Sequence, residues 1–291
     1  MRFLRVGPSG AERPVLLAED GTKGYDLSKV TDEIDGAFIG RLLDGPADGL
    51  AAELSTLVER GELPVLELAG KRIGAPVARP GKVVCIGLNY RDHAAETGAD
   101  LPAEPVVFMK ASNTVVGPDD EVLIPRNSAK TDYEVELAIV IGRTARYLDS
   151  PEDAPSVIAG FALSNDVSER EFQLERGGTW DKGKSCETFN PLGPWLVSAD
   201  EVADPQALGL RVSVNGESRQ NGSTADMIFS VNHVVWYVSQ FMVLEPGDII
   251  NTGTPAGVAM GRPGTPYLQP GDVMELEIDG LGRQRQVLGK A

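Results

Sequence analysis

The sequence predicts an α+β protein dominated by β-strands, with a small N-terminal domain at residues 1–75 and a larger domain at residues 76–291. The larger part consists of short apolar runs separated by turn residues, among them KVVCIGLN, EVELAIVIG, VIAGFALSND, LRVSVNGES and DVMELEIDG. Strands at this frequency are typical of a protein built on sheets. One run contains Asn215-Gly216, a pair that strongly indicates a β-hairpin turn. The segment GAPVARPGK (74–82) is rich in Pro, Gly and small residues and indicates the linker.

The remaining elements follow from the same patterns. MRFLRV and ERPVLLAED predict a hairpin at the N-terminus, and two helical segments follow it around residues 32–43 and 48–60. In the larger domain, SVNHVVWYVSQFMVL (230–244) is largely apolar and predicts a helix packed against a sheet.

The composition is that of a globular protein with an acidic excess. The 291 residues include 27 Lys and Arg against 43 Asp and Glu, which gives a net charge of −16. This charge argues against nucleic acid and anionic membranes as partners, because both attract basic surfaces. A small anionic substrate is still compatible with it, because a metal ion or a lysine can reverse the field inside one cleft.

Cysteine content and the N-terminus bear on the compartment. Two cysteines are too few for a disulfide scaffold or a cysteine-rich zinc site. The N-terminal MRFLRVGPSGAERP has no apolar segment of the kind that signal peptides carry. No apolar run reaches the roughly 18 residues that a membrane span needs. We therefore expect a cytoplasmic protein.

Paired carboxylates open the predicted strand DYEVELAIVIG (132–142). Successive side chains of a strand alternate between its faces, so Glu134 and Glu136 project from the same side. Apolar residues follow on both faces, and two like charges at such a place are costly unless a cation or a proton neutralises them. The alternative is a half-exposed strand whose outer face is hydrated at one end.

A third carboxylate, Asp166, ends the apolar run GFALSND. Ser168 and Glu171 follow it with the spacing of a helix capping box, which places Asp166 between a strand and a helix. Three carboxylates without a cysteine are hard oxygen ligands. They favour Mg²⁺ or Mn²⁺, with Ca²⁺ as a further option, over zinc.

The chain has two histidines, His93 and His233. His233 lies early in the apolar helix, where a packed or capping role is the simplest interpretation. His93 lies in GLNYRDHAAETG, where Asn89 could cap a short helix and Gly98 could end it. Glu96 would then share a face with His93 and raise the basicity of its imidazole, as a general base requires. A solvated surface pair is the alternative.

Two loops have weaker patterns. GTWDKGKS (178–185) matches the phosphate-loop pattern, but it follows a predicted helix, and the Asn-Pro and Gly-Pro pairs after it prevent a long helix. We reject that interpretation, and an NTPase is left only as a distant alternative that a lack of ATP binding would exclude. By itself, Lys184 is interpreted as a surface lysine. In NTGTPAGV (251–258), backbone amides and Thr254 could hold a carboxylate, although a plain turn explains the segment equally well.

The chain resembles the fumarylacetoacetate hydrolase family from about residue 80 to 285. The matching motifs, in order, are GLNYRDHAAE, FMKASNTVVGP, DYEVELAIVIG, SNDVSEREFQ, WDKGKSCETFNPLGPW, VNGESRQNG, MIFS and PGDIINTGTPAGV. The resemblance implies a mixed β-sandwich roll of the fumarylacetoacetate hydrolase type with a small N-terminal domain.

The resemblance also implies roles for nine residues within those motifs. These are the metal ligands Glu134, Glu136 and Asp166; the water-activating dyad His93 and Glu96 on a lid helix; the oxyanion-stabilising Lys184; and the substrate contacts Arg170, Gln173 and Thr254. The implied cofactor is Mg²⁺ or Mn²⁺, the implied substrate is a small anionic keto acid, and the implied assembly is a homodimer.

The implied reaction is hydrolysis of the C3–C4 bond of a 2,4-diketo acid, which gives pyruvate and a carboxylic acid. The segment WDKGKSCETFNPLGPWLV and the ending IDGLGRQRQ most resemble bacterial relatives that act on 2,4-diketo-3-deoxy sugar acids, such as the L-fuconate and L-rhamnonate derivatives. Acylpyruvates are a second substrate class. Oxaloacetate decarboxylase and hydroxyheptadienedioate isomerase use the same metal-enolate chemistry and are the alternatives. A non-catalytic carboxylate-binding protein is the remaining one.

Overall fold

A computed structural model describes residues 1–45 and 49–291 of the chain. Its strands are Arg2–Val6 (β1), Arg13–Leu17 (β2), Lys23–Asp26 (β3), Val65–Glu67 (β4), Ile73–Gly74 (β5), Val83–Gly87 (β6), Val106–Lys110 (β7), Val115–Val116 (β8), Val122–Ile124 (β9), Thr131–Asp132 (β10), Val135–Ile141 (β11), Ile158–Asn165 (β12), Ser168–Glu169 (β13), Asn190–Pro191 (β14), Leu196–Ser198 (β15), Gly209–Val214 (β16), Glu217–Ser223 (β17), Ile249–Asn251 (β18), Val273–Ile278 (β19) and Gly282–Lys290 (β20). Its α-helices are Gly36–Gly40 (α1), Leu50–Glu59 (α2), Arg91–Thr97 (α3), Arg170–Leu174 (α4), Asp181–Lys184 (α5) and Val231–Ser239 (α6).

A mixed sheet of eleven strands forms the centre of the fold. Its order is β4-β3-β2-β1-β15-β12-β11-β18-β6-β7, with β5 paired to β1. Most neighbours are antiparallel, whereas β18 and β6 run parallel. The predicted strand-dominated α+β class is confirmed.

Strand β11 is buried on both faces, which explains its continuous apolar sequence. One face packs against a second sheet, of order β17-β16-β19-β20-β9, through one apolar cluster. The opposite face, with Ala138 and Val140, packs against Phe38 and Ile39 of α1 in another cluster. The strand that carries the paired glutamates is therefore at the centre of the molecule.

The N-terminal segment continues the central sheet. The predicted hairpin is present, because β1 pairs antiparallel with β2, and β1 also pairs with β15. Of the two predicted helices, the first is divided into α1 and a 3₁₀ turn at Arg41–Leu43. The second begins at Leu50, and residue 48, where we predicted its start, lies outside the described residues. The domain boundary near residue 75 stays a prediction.

Two other local predictions have different outcomes. Asn215 and Gly216 form the turn between β16 and β17, both with positive φ (54° and 79°). The helix predicted over 230–244 ends at Ser239, which is a correction. It is shorter because Leu244 exchanges two backbone hydrogen bonds of 2.9 Å with Ala145, and this pairing requires extended chain. Among the described residues, no helix is long and apolar enough to cross a membrane.

A buried amide, Gln220, links the second sheet to the central one. Its Nε2 donates to Thr254 Oγ1 at 2.8 Å and to the Pro255 carbonyl at 2.7 Å. Its Oε1 accepts from the Val135 N–H at 3.0 Å. One fully buried side chain thus positions the 253–255 loop against the start of β11.

We expect Gln220→Met to lower the free energy of unfolding by about 2–4 kcal/mol, because it keeps the side-chain volume but leaves buried polar partners unsatisfied. Urea unfolding followed by circular dichroism measures the change. Gln269→Met, at an exposed position, is the matched control and should change the value by less than about 0.5 kcal/mol. Equal effects of the two substitutions would contradict this role of Gln220.

Candidate active site

Three buried carboxylates meet where β11 and β12 pair. Glu134 directly precedes β11, Glu136 is its second residue, and Asp166 directly follows the last residue of β12. The antiparallel register places Glu136 opposite Ser164, and the Asp166 N–H donates to the Glu134 carbonyl at 2.9 Å. One oxygen from each carboxylate lies within 4.8 Å of the others, and all three residues are buried. The half-exposed strand is therefore not the arrangement found.

Two of these carboxylates are neutralised by side-chain cations. Lys184 Nζ donates to Glu134 Oε2 at 2.6 Å and to Asp166 Oδ2 at 2.7 Å. Arg170 Nη2 lies 2.6 Å from Glu134 Oε1, an ion pair without the alignment of a hydrogen bond. Burial raises the pKa of Glu134, but Arg170 and Lys184 outweigh it and hold that pKa well below its ordinary value. Burial lowers the pKa of Lys184, and Asp166 and Glu134 bring it above its ordinary value.

Glu136 differs from its neighbours. Its only hydrogen bond comes from the Gly253 N–H, at 2.8 Å to Oε2, and no Lys, Arg or His of the described chain lies within ion-pair distance of it. Burial, Asp166 and Glu134 all raise its pKa well above the ordinary value. A buried carboxylate that faces two others is a position where a cation would be stabilised. The donor set is made of carboxylate oxygens, so Mg²⁺ or Mn²⁺ fits it.

A second lysine, Lys110, belongs to the cluster, and sequence reasoning assigned it no role. Its Nζ donates to Asp166 Oδ1 at 2.5 Å and to the Val167 carbonyl at 3.1 Å, and the residue is 2% exposed. The alternation in VVFMK places it on the same face of β7 as Phe108. That pattern identifies the face but not the acid that the lysine would meet.

Helix α3 brings His93 and Glu96 to the same region. His93 Nδ1 lies 3.7 Å from Glu96 Oε2, just beyond hydrogen-bonding distance, and both residues are sheltered from solvent. The Glu96 carboxylate accepts the Gly257 N–H at 2.9 Å. Burial raises the pKa of Glu96, yet His93 and the Gly257 amide lower it to a value below the ordinary one. The pair is therefore not a solvated surface pair.

The predicted end of this helix at Gly98 is present, whereas the predicted cap at Asn89 is wrong. Gly98 closes α3 in the left-handed conformation with φ 67°. Asn89 does not cap it, because its amide donates to the Thr252 carbonyl at 2.8 Å and accepts the Phe229 N–H at 2.8 Å. The side chain thus links three separate segments, and the helix begins at Arg91.

The capping box predicted after Asp166 is also wrong. Ser168 lies in the short strand β13, which pairs with β10, and its hydroxyl donates to the Asp166 carbonyl at 2.9 Å. Glu169 caps α4 instead by accepting the Phe172 N–H at 2.6 Å. The chain stays extended for two more residues because of this pairing, and the helix then begins at Arg170.

Asp132 is another residue that sequence reasoning missed. Its Oδ2 accepts from Arg170 Nε at 2.9 Å and from the Met260 N–H at 3.1 Å, and its Oδ1 accepts the Ala259 N–H at 2.9 Å. Arg170 Nη1 in turn donates to Gln173 Oε1 at 3.1 Å. The signal was present, because the two-residue spacing of Glu134 and Glu136 extends back to Asp132.

Most of the predicted site residues line a cavity of about 210 Å³. Of the nine side chains predicted for the site, Glu96 lies behind His93, and the other eight line the cavity: His93, Glu134, Glu136, Asp166, Arg170, Gln173, Lys184 and Thr254. Lys184 is thus placed in the site by α5 and is not a surface lysine. Most of the other lining residues are apolar, namely Ile86, Leu88, Ala99, Phe108, Leu174, Trp180 and Met260.

Known proteins with the same architecture cover the whole chain. A 2,4-didehydro-3-deoxy-L-rhamnonate hydrolase of Sphingomonas sp. (strain SKA58) is 47% identical over 287 residues, 98% of this chain and 95% of that protein. The solved fumarylacetoacetate hydrolase of Exiguobacterium antarcticum is 35% identical with a TM-score of 0.84, and covers 100% of both chains. A solved 2-hydroxyhepta-2,4-diene-1,7-dioate isomerase of Mycobacterium marinum is 32% identical with a TM-score of 0.76, over 100% of this chain and 98% of that one.

The sequence profile of the fumarylacetoacetate (FAA) hydrolase C-terminal region matches residues 82–288. This range contains the three carboxylates, Lys110, Lys184, α3 and all the residues that line the cavity. With the sequence profile, the relatives and the fold in agreement, the chain belongs to the fumarylacetoacetate hydrolase family.

Proposed function

We propose that this protein is a divalent-metal-dependent hydrolase that cleaves the C3–C4 bond of a 2,4-diketo acid. The products are pyruvate and a second carboxylic acid. The observation that carries the proposal is Glu136, a buried carboxylate that faces two others without a cation of its own and shares its cavity with His93. The name of the Sphingomonas relative supports a 2,4-diketo-3-deoxy sugar acid as substrate, and an acylpyruvate is the second class.

Glu134, Glu136 and Asp166 would hold the metal ion, Mg²⁺ or Mn²⁺. When bound, the ion supplies positive charge for the carboxylate and the adjacent ketone of the substrate, where negative charge develops as the C3–C4 bond breaks. The protein contributes a rigid setting for these ligands, because Lys184 and Lys110 fix both oxygens of Asp166.

His93 is the general base in this proposal. Glu96 stays ionised because its pKa is lowered, and it faces Nδ1 of the imidazole. A proton on Nδ1 then leaves Nε2 free to accept one from a water molecule in the cavity that the ring lines. The water oxygen attacks the C4 carbonyl, the C3–C4 electron pair stays on the pyruvyl fragment, and that fragment takes up the proton at C3.

The remaining polar residues orient the substrate and stabilise charge. Lys184 stays protonated because its pKa is raised, so it presents a fixed positive charge to the oxyanion formed at C4. Arg170 is held by Asp132, and Gln173 and Thr254 line the same cavity. The Gln173 amide can donate to the substrate's oxygens, whereas the Thr254 hydroxyl already donates to the Val135 carbonyl at 2.9 Å and shapes the wall of the cavity. A homodimer and a cytoplasmic location stay predictions.

Two alternative reactions act on a substrate with a similar α-keto-acid head, but a different bond breaks in each. Oxaloacetate decarboxylation and isomerisation of a hydroxyheptadienedioate both need charge stabilisation at an α-keto acid, but neither needs an attacking water. The Mycobacterium marinum structure bears the name of such an isomerase. Only hydrolysis needs a base that activates water, so the effect of replacing His93 distinguishes hydrolysis from both alternatives.

The metal proposal predicts that EDTA stops pyruvate release and that Mn²⁺ restores it. Glu136→Gln should weaken Mn²⁺ binding on the order of 100-fold, because it removes one of three anionic ligands. Isothermal titration calorimetry of the apo protein measures the change. Glu217→Gln, whose side chain is 73% exposed, is the control and should bind Mn²⁺ like the unchanged protein. Binding that is equally weak in all three proteins would contradict a metal site here.

The base proposal predicts that His93→Ala lowers kcat for a 2,4-diketo acid by about 10²–10⁴-fold, the usual contribution of a general base. Oxaloacetate decarboxylation, where it occurs, should fall less with His93→Ala than with Glu136→Ala. His233→Ala is the matched control, because the chain has only these two histidines. Unchanged pyruvate release from the diketo acid by the His93→Ala enzyme would contradict the role of His93 as the base.

A further inference from the structure

The cavity has a charged end and an apolar end, and they differ in exposure. At the charged end, Glu134, Glu136, Asp166 and Lys184 are each 5% exposed or less. At the other end, Trp180 is half-buried, and Leu174 is 47% exposed. If the pyruvyl head binds at the acids, the tail of the substrate extends towards Trp180 and Leu174 at the mouth.

A chain of contacts connects the two ends. Lys184 Nζ lies 5.0 Å from the centre of the Phe108 ring, and the Phe108 ring meets the Trp180 ring edge-on at 5.4 Å between centroids. The Trp180 ring rests against Gly87, where an added Cβ would lie 2.5 Å from its Cζ3 atom. The ring is therefore held in place by aromatic packing on one side and by bare backbone on the other. Phe108, Trp180 and Leu174 together are called the tail wall below.

The tail wall has no cation to offer a substrate. Among the described residues that line the cavity, the cationic side chains are Arg170 and Lys184, and both already pair with Asp132, Glu134 or Asp166. Asp132 and the three acids carry four negative charges, and Lys110, Lys184 and Arg170 carry three positive ones, so a bound divalent ion would leave one surplus positive charge there. The carboxylate of the pyruvyl head uses that charge. A second carboxylate at the end of the tail would meet aromatic and aliphatic carbon instead.

We propose, on the basis of the proposed function, that the tail wall selects 2,4-diketo acids with a short uncharged tail and rejects those with a second, terminal carboxylate. The tail of the L-rhamnonate derivative, one hydroxylated carbon and a methyl group, belongs to the accepted class. The dioate in the name of the Mycobacterium marinum isomerase carries a second, terminal carboxylate of the kind that the tail wall excludes in this proposal. The selection comes from the missing counter-charge, since a site discriminates most strongly against a polar group that it cannot pair.

The test compares two acids that differ only at the last carbon, 2,4-dioxoheptanoate and 2,4-dioxoheptanedioate. Pyruvate release with Mg²⁺ should show a kcat/KM at least about tenfold higher for the monoacid, because a charge at this partly exposed site loses part of its hydration and gains no counter-charge. Leu174→Arg should reduce the ratio of the two kcat/KM values about tenfold, because it raises kcat/KM for the dioate. Leu174→Gln, which adds a polar but uncharged side chain, should not raise kcat/KM for the dioate. Val65→Arg, at an exposed position of β4, should leave the ratio unchanged.

The outcomes separate the two proposals. Absence of pyruvate from both acids and from 5-hydroxy-2,4-dioxohexanoate would overturn the proposed function itself. Cleavage of the hydroxy acid together with equal or faster cleavage of the dioate would leave that function intact and overturn the tail-wall inference. Equal effects of Leu174→Arg and Leu174→Gln on the dioate would overturn it as well.

Discussion

The rest of the site is organised around the mutual repulsion of three carboxylates in the centre of the fold. The pairing of β11 with β12 brings Glu134, Glu136 and Asp166 together, away from water, where like charges are costly. Lys184, Lys110 and Arg170 offset that cost for two of the three acids. Among the described residues, the third acid, Glu136, accepts a hydrogen bond only from a backbone amide, and Lys184 offsets part of its charge from a greater distance. The negative charge of Glu136 would be balanced by a divalent ion. The positive charge that the ion then leaves over would be balanced by the carboxylate of an α-keto acid.

A second feature joins the reacting groups to one another. The backbone of residues 257–260 donates to Glu96 on one side and to Asp132 on the other. Asp132 also holds Arg170, which pairs with Glu134. The proposed base and the proposed substrate arginine are thus connected through a single loop. A displacement of this loop would move both of them, so its integrity matters to activity although few of its own side chains reach the cavity.

Sequence reasoning identified the parts of the site that follow from local periodicity. A two-residue spacing places Glu134 and Glu136 on one face, and the end of an apolar run places Asp166 beside them. Lys184 and His93 entered the site only through the resemblance to a family, because their neighbours come from distant segments. Lys110 shows the limit clearly, since its partner Asp166 is 56 residues away and no local pattern connects the two.

The incorrect boundaries have the same physical origin. Ser168 has good capping chemistry, but pairing of β13 with β10 keeps it extended. The apolar run after Ser239 could continue a helix, but the bridge between Leu244 and Ala145 ends it. In both places, backbone hydrogen bonds to a segment distant in sequence outweigh the local preference of the residues for a helix.

The pairing of β1 with β15 has a consequence for the whole molecule. Because β1 lies beside β15, the N-terminal strands cover what would otherwise be an open border of the central sheet. The edge strand of the sheet on this side is therefore β4, which has three residues and whose Glu67 forms an ion pair with Lys23. Short, charged border strands discourage chains from adding to one another. A chain that began at the linker would instead end its sheet at β15, whose Leu196, Val197 and Ser198 carry no charge to oppose such addition.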